Sequence, residues 1–143
     1  MASQPVSDEL AIVALLNRYA RAVDTKDWEL YRSVFTDDAH IDYSADVFVG
    51  SVDEAIEFLT GMFSELVTMS MHYITNVEST IDGDTARVRA MFYNPTRFSG
   101  VAETAVFGGY YHHDLVRTPD GWRSRSLREE MVWTAGSPRD DQL

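Results

Sequence analysis

Apolar residues near the start of the chain recur three and four positions apart: Ile12, Leu15, Leu16, Tyr19, Ala20 and Val23, with Asn17, Arg18 and Arg21 between them. That spacing predicts a helix over 7–24 with one apolar stripe. Ser7 is placed to cap it, with Asp8 and Glu9 in the first turn, where the helix dipole favours acids. Trp28, Leu30, Tyr31, Val34 and Phe35 mark a second, shorter helix over about 26–35, which Asp37-Asp38 breaks. Ala39-His40-Ile41-Asp42-Tyr43 alternates and reads as a short strand. Ser51-Val52-Asp53-Glu54 is a capping box, in which the serine hydroxyl and the glutamate carboxylate each satisfy a backbone N–H, and it opens a third helix to about Leu66.

From there the pattern changes to period two. Tyr73, Thr75, Val77 and Ser79 alternate with Ile74, Asn76, Glu78 and Thr80, and Asp82-Gly83 supplies a hairpin turn. The partner strand runs from Thr85 to about Arg97, and a third long strand from about Glu103 to Arg117. Pro119-Asp120-Gly121 turns that strand into a fourth, Trp122 to Thr134. Gly108-Gly109 in the middle of the third long strand marks a kink or bulge. Three helices and a short strand followed by long antiparallel strands define an α+β domain, in which a bent sheet wraps the helices and leaves a cavity between them. One domain over 1–143 is expected, with its core at about 8–134 and a loose polar tail over 135–143.

Composition narrows the function classes. A chain of 143 residues that is 45% hydrophobic and 24% charged is ordinary for a globular protein and too apolar for disorder. No apolar run approaches the roughly 20 residues that span a bilayer. Met1-Ala2-Ser3-Gln4-Pro5 has neither the basic patch nor the apolar core of a secretory signal. Cysteine is absent, which removes disulfides, zinc–thiolate sites and thiol nucleophiles, and the cytoplasm is the expected compartment. A formal charge of −11 opposes nucleic acid and anionic membrane as partners. All but one of the 12 basic residues are arginine, and the cluster Arg123, Arg125 and Arg128 reads as an ion-paired outer strand face. No phosphate-binding loop, dinucleotide fingerprint or nucleophile elbow is present, so nothing points to a nucleotide cofactor or a serine hydrolase.

One residue stands out chemically. His72 lies in the run Met69-Ser70-Met71-His72-Tyr73-Ile74, at the predicted start of the first long strand. An imidazole among apolar neighbours must hydrogen-bond or stay neutral, and a carboxylate is the partner that would hold it as a base. Asp24 ends the first helix, where the dipole opposes a carboxylate. It reads either as the partner of a base or as the cap of the second helix, for which Thr25 and Asp27 are nearer alternatives. Tyr19 precedes Asp24 by five residues, an angular divergence of about 140° on a regular helix, so both face one cavity only if the helix loosens near Ala22. On their own, Tyr19 and Tyr43 read as core aromatics before they read as catalytic groups. His112-His113 are adjacent on a strand and point to opposite faces, so they cannot chelate one ion, and His40 has no partner at a metal-ligand spacing. No metal is expected.

With these residues in place the chain resembles the SnoaL-like branch of the NTF2-like cone fold, over about Asp8 to Trp133. The resemblance is carried by Tyr19 and Asp24 in the opening helix, Asp27-Trp28, Phe35-Thr36-Asp37-Asp38-Ala39, Gly108-Gly109-Tyr110-Tyr111 and Asp120-Gly121-Trp122. It implies three N-terminal helices packed in a strongly curved mixed or antiparallel sheet. Within that superfamily the chain is similar to scytalone dehydratase, hexachlorocyclohexane dehydrochlorinase and bile-acid 7α-dehydratase, whose histidine–aspartate bases fall where His72 and Asp24 stand. Tyr19 matches a pocket tyrosine of the bile-acid enzyme, and Tyr43 one that polarises the substrate carbonyl in the scytalone enzyme.

The resemblance therefore implies a cofactor-free lyase acting on a small cyclic organic substrate, with His72, Asp24, Tyr19 and Tyr43 as catalytic residues. A polyketide cyclase or ketosteroid-type isomerase using the same pocket, and a non-catalytic ligand-binding domain, are the rival readings. Trp28, Tyr111, His113, Arg125 and Leu127 are the substrate-binding candidates. The last-strand arginine of the dehydrochlorinase falls on Leu127 here, and Arg125 shares its predicted strand face, whereas Arg128 points the other way. The serine and asparagine of the scytalone pocket fall on Gly109 and Tyr111. The resemblance also implies a homo-oligomer, a trimer or a dimer.

Overall fold

The buried stripe of Ile12, Leu15, Leu16, Tyr19 and Val23 lies on helix α1 (Gln4–Thr25) in the computed structural model, which describes residues 4–137. The helix starts before its apolar pattern does, so Ser7 sits inside it and does not cap it. It ends in a left-handed turn: Lys26 has φ 59°, and the N–H groups of Lys26 and Asp27 reach back to the carbonyls of Val23 (3.2 Å) and Ala22 (2.9 Å). Those two bonds satisfy carbonyls that a helix end leaves orphaned. Asp27 then caps α2 (Trp28–Ser33), its carboxylate accepting from the Leu30 N–H at 3.0 Å.

The second helix is shorter than its apolar spacing suggests, because the chain is already extended at Phe35. Strand β1 (Phe35–Tyr43) includes Asp37 and Asp38, both exposed where its pairing shifts register. A 3₁₀ turn over Ser44–Asp46 leads to β2 (Phe48–Ser51), and the capping box of Ser51 and Glu54 starts α3 (Val52–Glu65) with both of its hydrogen bonds made. Five strands complete the fold: β3 (Val67–Ser70), β4 (Tyr73–Asp82), β5 (Thr85–Phe98), β6 (Ala105–Thr118) and β7 (Gly121–Ala135). The short strands β2 and β3 carry too few residues to show a period.

The seven strands form one mixed sheet in the order β2-β1-β7-β6-β5-β3, with β4 also paired to β5 beyond β3. Among the described residues only the β1–β7 pairing is parallel. The sheet is a strongly curved half-barrel against which the three helices pack, the α+β cone implied by the resemblance. Among the described residues no helix is long and apolar enough to cross a membrane.

Two bulges in the β6–β7 pair set the curvature and the phase of β7. In one, Gly108 pairs with Trp133 and Gly109 with Met131, which leaves Val132 as an extra residue. A Cβ on Gly108 would fall 2.1 Å from the Trp133 indole nitrogen, and one on Gly109 would fall 2.0 Å from the Glu130 carbonyl oxygen. Only glycine allows this approach. In the other, Asp114 pairs with Ser126 and Leu115 with Ser124, which leaves Arg125 as the extra residue.

Asp8 is not a first-turn acid but a buried anchor. It accepts both arms of Arg117 at 2.8 and 3.0 Å and the Trp122 indole N–H at 3.2 Å. The hydrogen-bonded guanidinium holds its carboxyl down at about 2. This pins the start of α1 to the β6–β7 hairpin, where the Arg117 guanidinium also lies over the Trp122 ring. At the other end, Ser137 is buried, so the chain stays packed two residues beyond β7; the remainder of the predicted tail, 138–143, lies outside the described residues.

Candidate active site

β3 and β4 lie end to end along β5, and the break between them positions His72. Ser70 pairs with Thr96 and Tyr73 with Tyr93, so Met71 and His72 stand opposite Pro95 and Asn94. The Met71 N–H donates to the Pro95 carbonyl at 3.1 Å, but proline has no N–H to return that bond. His72 is therefore not the first residue of a long strand, as its alternation suggests, but the second residue of a two-residue gap in the ladder.

Asp24 fills that gap from the last turn of α1. One carboxylate oxygen accepts the His72 backbone N–H at 2.7 Å; the other lies 2.6 Å from the ring Nδ1 and 3.2 Å from the Ser70 hydroxyl that donates to it. Three donors offset the unfavourable position of an acid at a helix C-terminus. The pair is largely enclosed, with the His72 side chain 8% and the Asp24 side chain 20% exposed. Because Nδ1 is committed to the carboxylate, Nε2 is the ring nitrogen left for the cavity that His72 lines.

That cavity measures about 370 Å³ and lies between α1, α3 and the concave sheet. Tyr19, Tyr43, His72, Tyr111 and Glu129 contribute polar groups to its wall, and Phe58, Leu59, Met62, Phe63, Phe92, Phe98, Phe107 and Met131 make most of the rest apolar. A pocket of this size and lining suits a small organic molecule. Tyr19 enters it while α1 stays regular to Thr25, so no loosening near Ala22 is needed. The helix sends Tyr19 into the cavity and Asp24 toward the strand gap, and the His72 ring bridges the divergence.

Three phenols form a chain from the cavity wall into the core: Tyr43 lies 2.6 Å from the Tyr19 hydroxyl and 2.9 Å from that of Tyr31. Burial pushes all three well above the usual phenol range, as it does Tyr111, and the nearby Glu129 charge adds to the rise at Tyr19, Tyr31 and Tyr111. All therefore keep their protons at neutral pH. The Tyr111 hydroxyl bonds to Tyr19 as well, so three links among four hydroxyls use three protons, which leaves a fourth for another acceptor. Tyr111 stacks on Phe92 at 4.5 Å between ring centroids and meets the edge of Tyr19 at 5.3 Å.

The other substrate-binding candidates stand outside the cavity. Trp28 packs edge-on against Tyr31 and Phe63. His113 is buried beside the Tyr19 ring, its Nδ1 2.9 Å from the Ser124 hydroxyl, and burial pushes it down to about 3. Leu127 is fully buried core, and Arg125 is exposed. The reason is the bulge: with Arg125 as the extra residue, Ser124 and Leu127 both turn inward, and β7 sends Glu129 and Met131 into the cavity with no arginine. His112 faces the opposite side from His113 and pairs with Glu130 at 2.8 Å. Among the described residues no three potential ligands converge on a metal position.

Sequence reasoning missed Ser70, Asn94 and Glu129 in this site. The signal for the first two was Pro95, which removes a ladder bond opposite Met71, the neighbour of His72.

The α+β cone thus sets a histidine–carboxylate pair against a tyrosine-bearing, largely apolar pocket. The chain belongs to the SnoaL-like domain family, whose model matches residues 4–128. It is 37% identical over 122 residues to the uncharacterized protein Rv2910c of Mycobacterium tuberculosis H37Rv, covering 82% of this chain and 81% of that one. Among solved structures it is similar to a Novosphingobium aromaticivorans protein provisionally named an aromatic ring hydroxylase, at 29% identity and a TM-score of 0.82 over 99% of this chain and 100% of that one. The fold is also that of hexachlorocyclohexane dehydrochlorinase LinA-type3 from Novosphingobium barchaimii, at 15% identity and a TM-score of 0.82 over 92% of this chain and 90% of that one.

Proposed function

We propose that the protein is a cofactor-free lyase that eliminates water or hydrogen halide from a small cyclic organic molecule. The observation that carries this reading is the commitment of His72 Nδ1 to Asp24 at 2.6 Å while the ring lines the cavity. Asp24 holds the proton on Nδ1, so Nε2 presents a lone pair and acts as the base. It takes a proton from the carbon next to an activating group, the C–H electron pair becomes the new double bond, and the leaving group departs with its own bonding pair. The carboxylate stabilises the imidazolium that forms. The phenol proton not used within the Tyr31–Tyr43–Tyr19–Tyr111 network donates to the developing negative charge on a carbonyl oxygen or on the leaving group. When the leaving group is hydroxide, the imidazolium returns the proton to it as water. Acid–base assistance of this kind contributes about 10²- to 10⁴-fold.

The similarity in fold to a dehydrochlorinase supports elimination as the reaction class. A cyclase or isomerase would use the same base but return the proton to the substrate.

The test is a thermal-shift screen of cyclic ketones, phenols, terpenoids and halogenated rings, followed by product mass for each ligand found. A ligand present at 100 times its dissociation constant adds about 2.7 kcal/mol of stability. Loss of water or hydrogen halide supports the lyase, an unchanged mass favours isomerisation, and added oxygen favours hydroxylation. His72→Gln should bind the same ligand but turn it over at least about 100-fold more slowly. Undiminished turnover in that variant would refute the assignment of the base.

A further inference from the structure

The dyad rests on a strand gap that the backbone alone cannot hold. Ser70–Thr96 and Tyr73–Tyr93 are in the same register, so the gap contains no inserted residue: Met71 faces Pro95, and His72 faces Asn94. In an antiparallel ladder a hydrogen-bonded pair exchanges two N–H···O bonds. Met71 and Pro95 make only one, from the Met71 N–H to the Pro95 carbonyl at 3.1 Å. The return bond, to the Met71 carbonyl, requires the N–H that proline lacks.

Asn94 supplies it. Its side-chain amide donates to the Met71 carbonyl at 3.0 Å and, from the same nitrogen, to the Ser70 hydroxyl oxygen at 3.0 Å. The Met71 carbonyl can only accept, which fixes the orientation of the amide, and the amide oxygen lies 3.2 Å from the Thr96 hydroxyl, a donor it shares with the Asn94 backbone carbonyl at 3.3 Å. Because the Ser70 oxygen accepts from Asn94, the Ser70 proton is turned toward Asp24, 3.2 Å away. Asn94 is buried, at 8% exposure, so bulk water competes little for these bonds.

We propose that Asn94 is the positioning residue of the dyad, restoring the ladder bond that Pro95 cannot make and, through Ser70, orienting the Asp24 carboxylate on His72. The inference rests on the reading of His72 as the base. Asn94 also lines the cavity, but the role proposed for it runs through the strand gap and the carboxylate.

The experiment reads the His72 ring by long-range ¹⁵N–¹H correlation in the ligand-free protein, and so needs no substrate. Wild type should show His72 protonated at Nδ1 with a strongly downfield proton. Asn94→Ala should weaken or abolish that signal and lower the unfolding midpoint. The double variant Asn94→Ala/Pro95→Ala regains a backbone N–H opposite the Met71 carbonyl and should recover much of both. Ser70→Ala, which leaves the gap bonds to Met71 in place, should shift the His72 signal without a comparable loss of stability.

Once the ligand screen supplies a substrate, Asn94→Ala should lower kcat, by up to about 100-fold, more than it changes KM. A His72 spectrum identical to wild type in both Asn94→Ala and Ser70→Ala would overturn the proposal. So would a double variant no better than the single one. Absence of the Nδ1 proton in wild type would sink the dyad itself, a failure distinct from that of Asn94's part in it.

Discussion

Replacing Asp24 with asparagine removes a charge, changes almost no volume and separates the two jobs of the carboxylate. The aspartate accepts from the His72 backbone N–H at 2.7 Å with one oxygen, and lies 2.6 Å from the ring Nδ1 with the other. Asparagine has only one oxygen to offer. If that oxygen stays on the backbone N–H, the new amide group faces Nδ1, which must become an acceptor, and the ring proton moves to Nε2. If it stays on Nδ1, two donors face each other at the backbone and a buried N–H loses its partner. Hydrogen bonds to charged groups contribute about 1.5–3 kcal/mol and neutral ones about 0.5–1.5. Weakening both bonds therefore amounts to about 2 kcal/mol, and orphaning the backbone N–H to about 1–3 kcal/mol. With Asp24 only 20% exposed at the side chain, solvent does little to reduce these figures.

The first arrangement keeps the buried backbone N–H paired and displaces only the Ser70 hydroxyl, which can turn to Nδ1 at 3.4 Å, and we expect it to dominate. Urea unfolding should show a loss of about 2 kcal/mol with an unchanged m-value. Ring nitrogen NMR should show the proton of His72 moved from Nδ1 to Nε2, which removes the base from the cavity. In serine proteases the equivalent exchange lowers turnover about 10⁴-fold. A variant within about 0.5 kcal/mol of wild type that keeps its Nδ1 proton would refute the reasoning, since surface substitutions that break nothing fall in that range.

Two further outcomes follow from the buried groups and the bulges. His113, held down at about 3 against an unperturbed 6.5, is neutral in the folded state, so the unfolded chain takes up a proton first as pH falls. Its contribution is whole above pH 6.5 and is lost down to about 3, at up to about 1.4 kcal/mol per pH unit. Stability measured against pH should flatten over that interval in His113→Gln, and an unaltered slope would contradict the assignment. Gly109→Ala should destabilise by about 1–3 kcal/mol because its Cβ meets a backbone carbonyl. Gly108→Ala, whose Cβ meets the half-exposed Trp133 side chain, should cost less because that ring can move. Equal losses in calorimetry would count against this account of the bulge.

What the chain's own pattern determined was local. The apolar stripe of α1, the capping box at Ser51 and Glu54, the alternation of the long strands and the paired glycines at 108 and 109 are each legible because neighbours in sequence decide them. His72 and Asp24 also drew notice locally, as an imidazole in an apolar run and an acid at the wrong end of a helix. Their pairing at 2.6 Å is a tertiary fact, set by where α1 ends against the sheet.

The misreadings share one cause. Alternation assigns a strand residue to a face only while the count against its partner strand is unbroken, and that count belongs to two distant segments. One extra residue at Arg125 kept arginine out of the cavity and brought Glu129 into it. One missing N–H at Pro95 took His72 off the ladder. Asp8 became an anchor because Arg117 and Trp122, more than a hundred residues away, fold back onto it. Period and propensity determine which elements form; pairing between them decides which side chains meet.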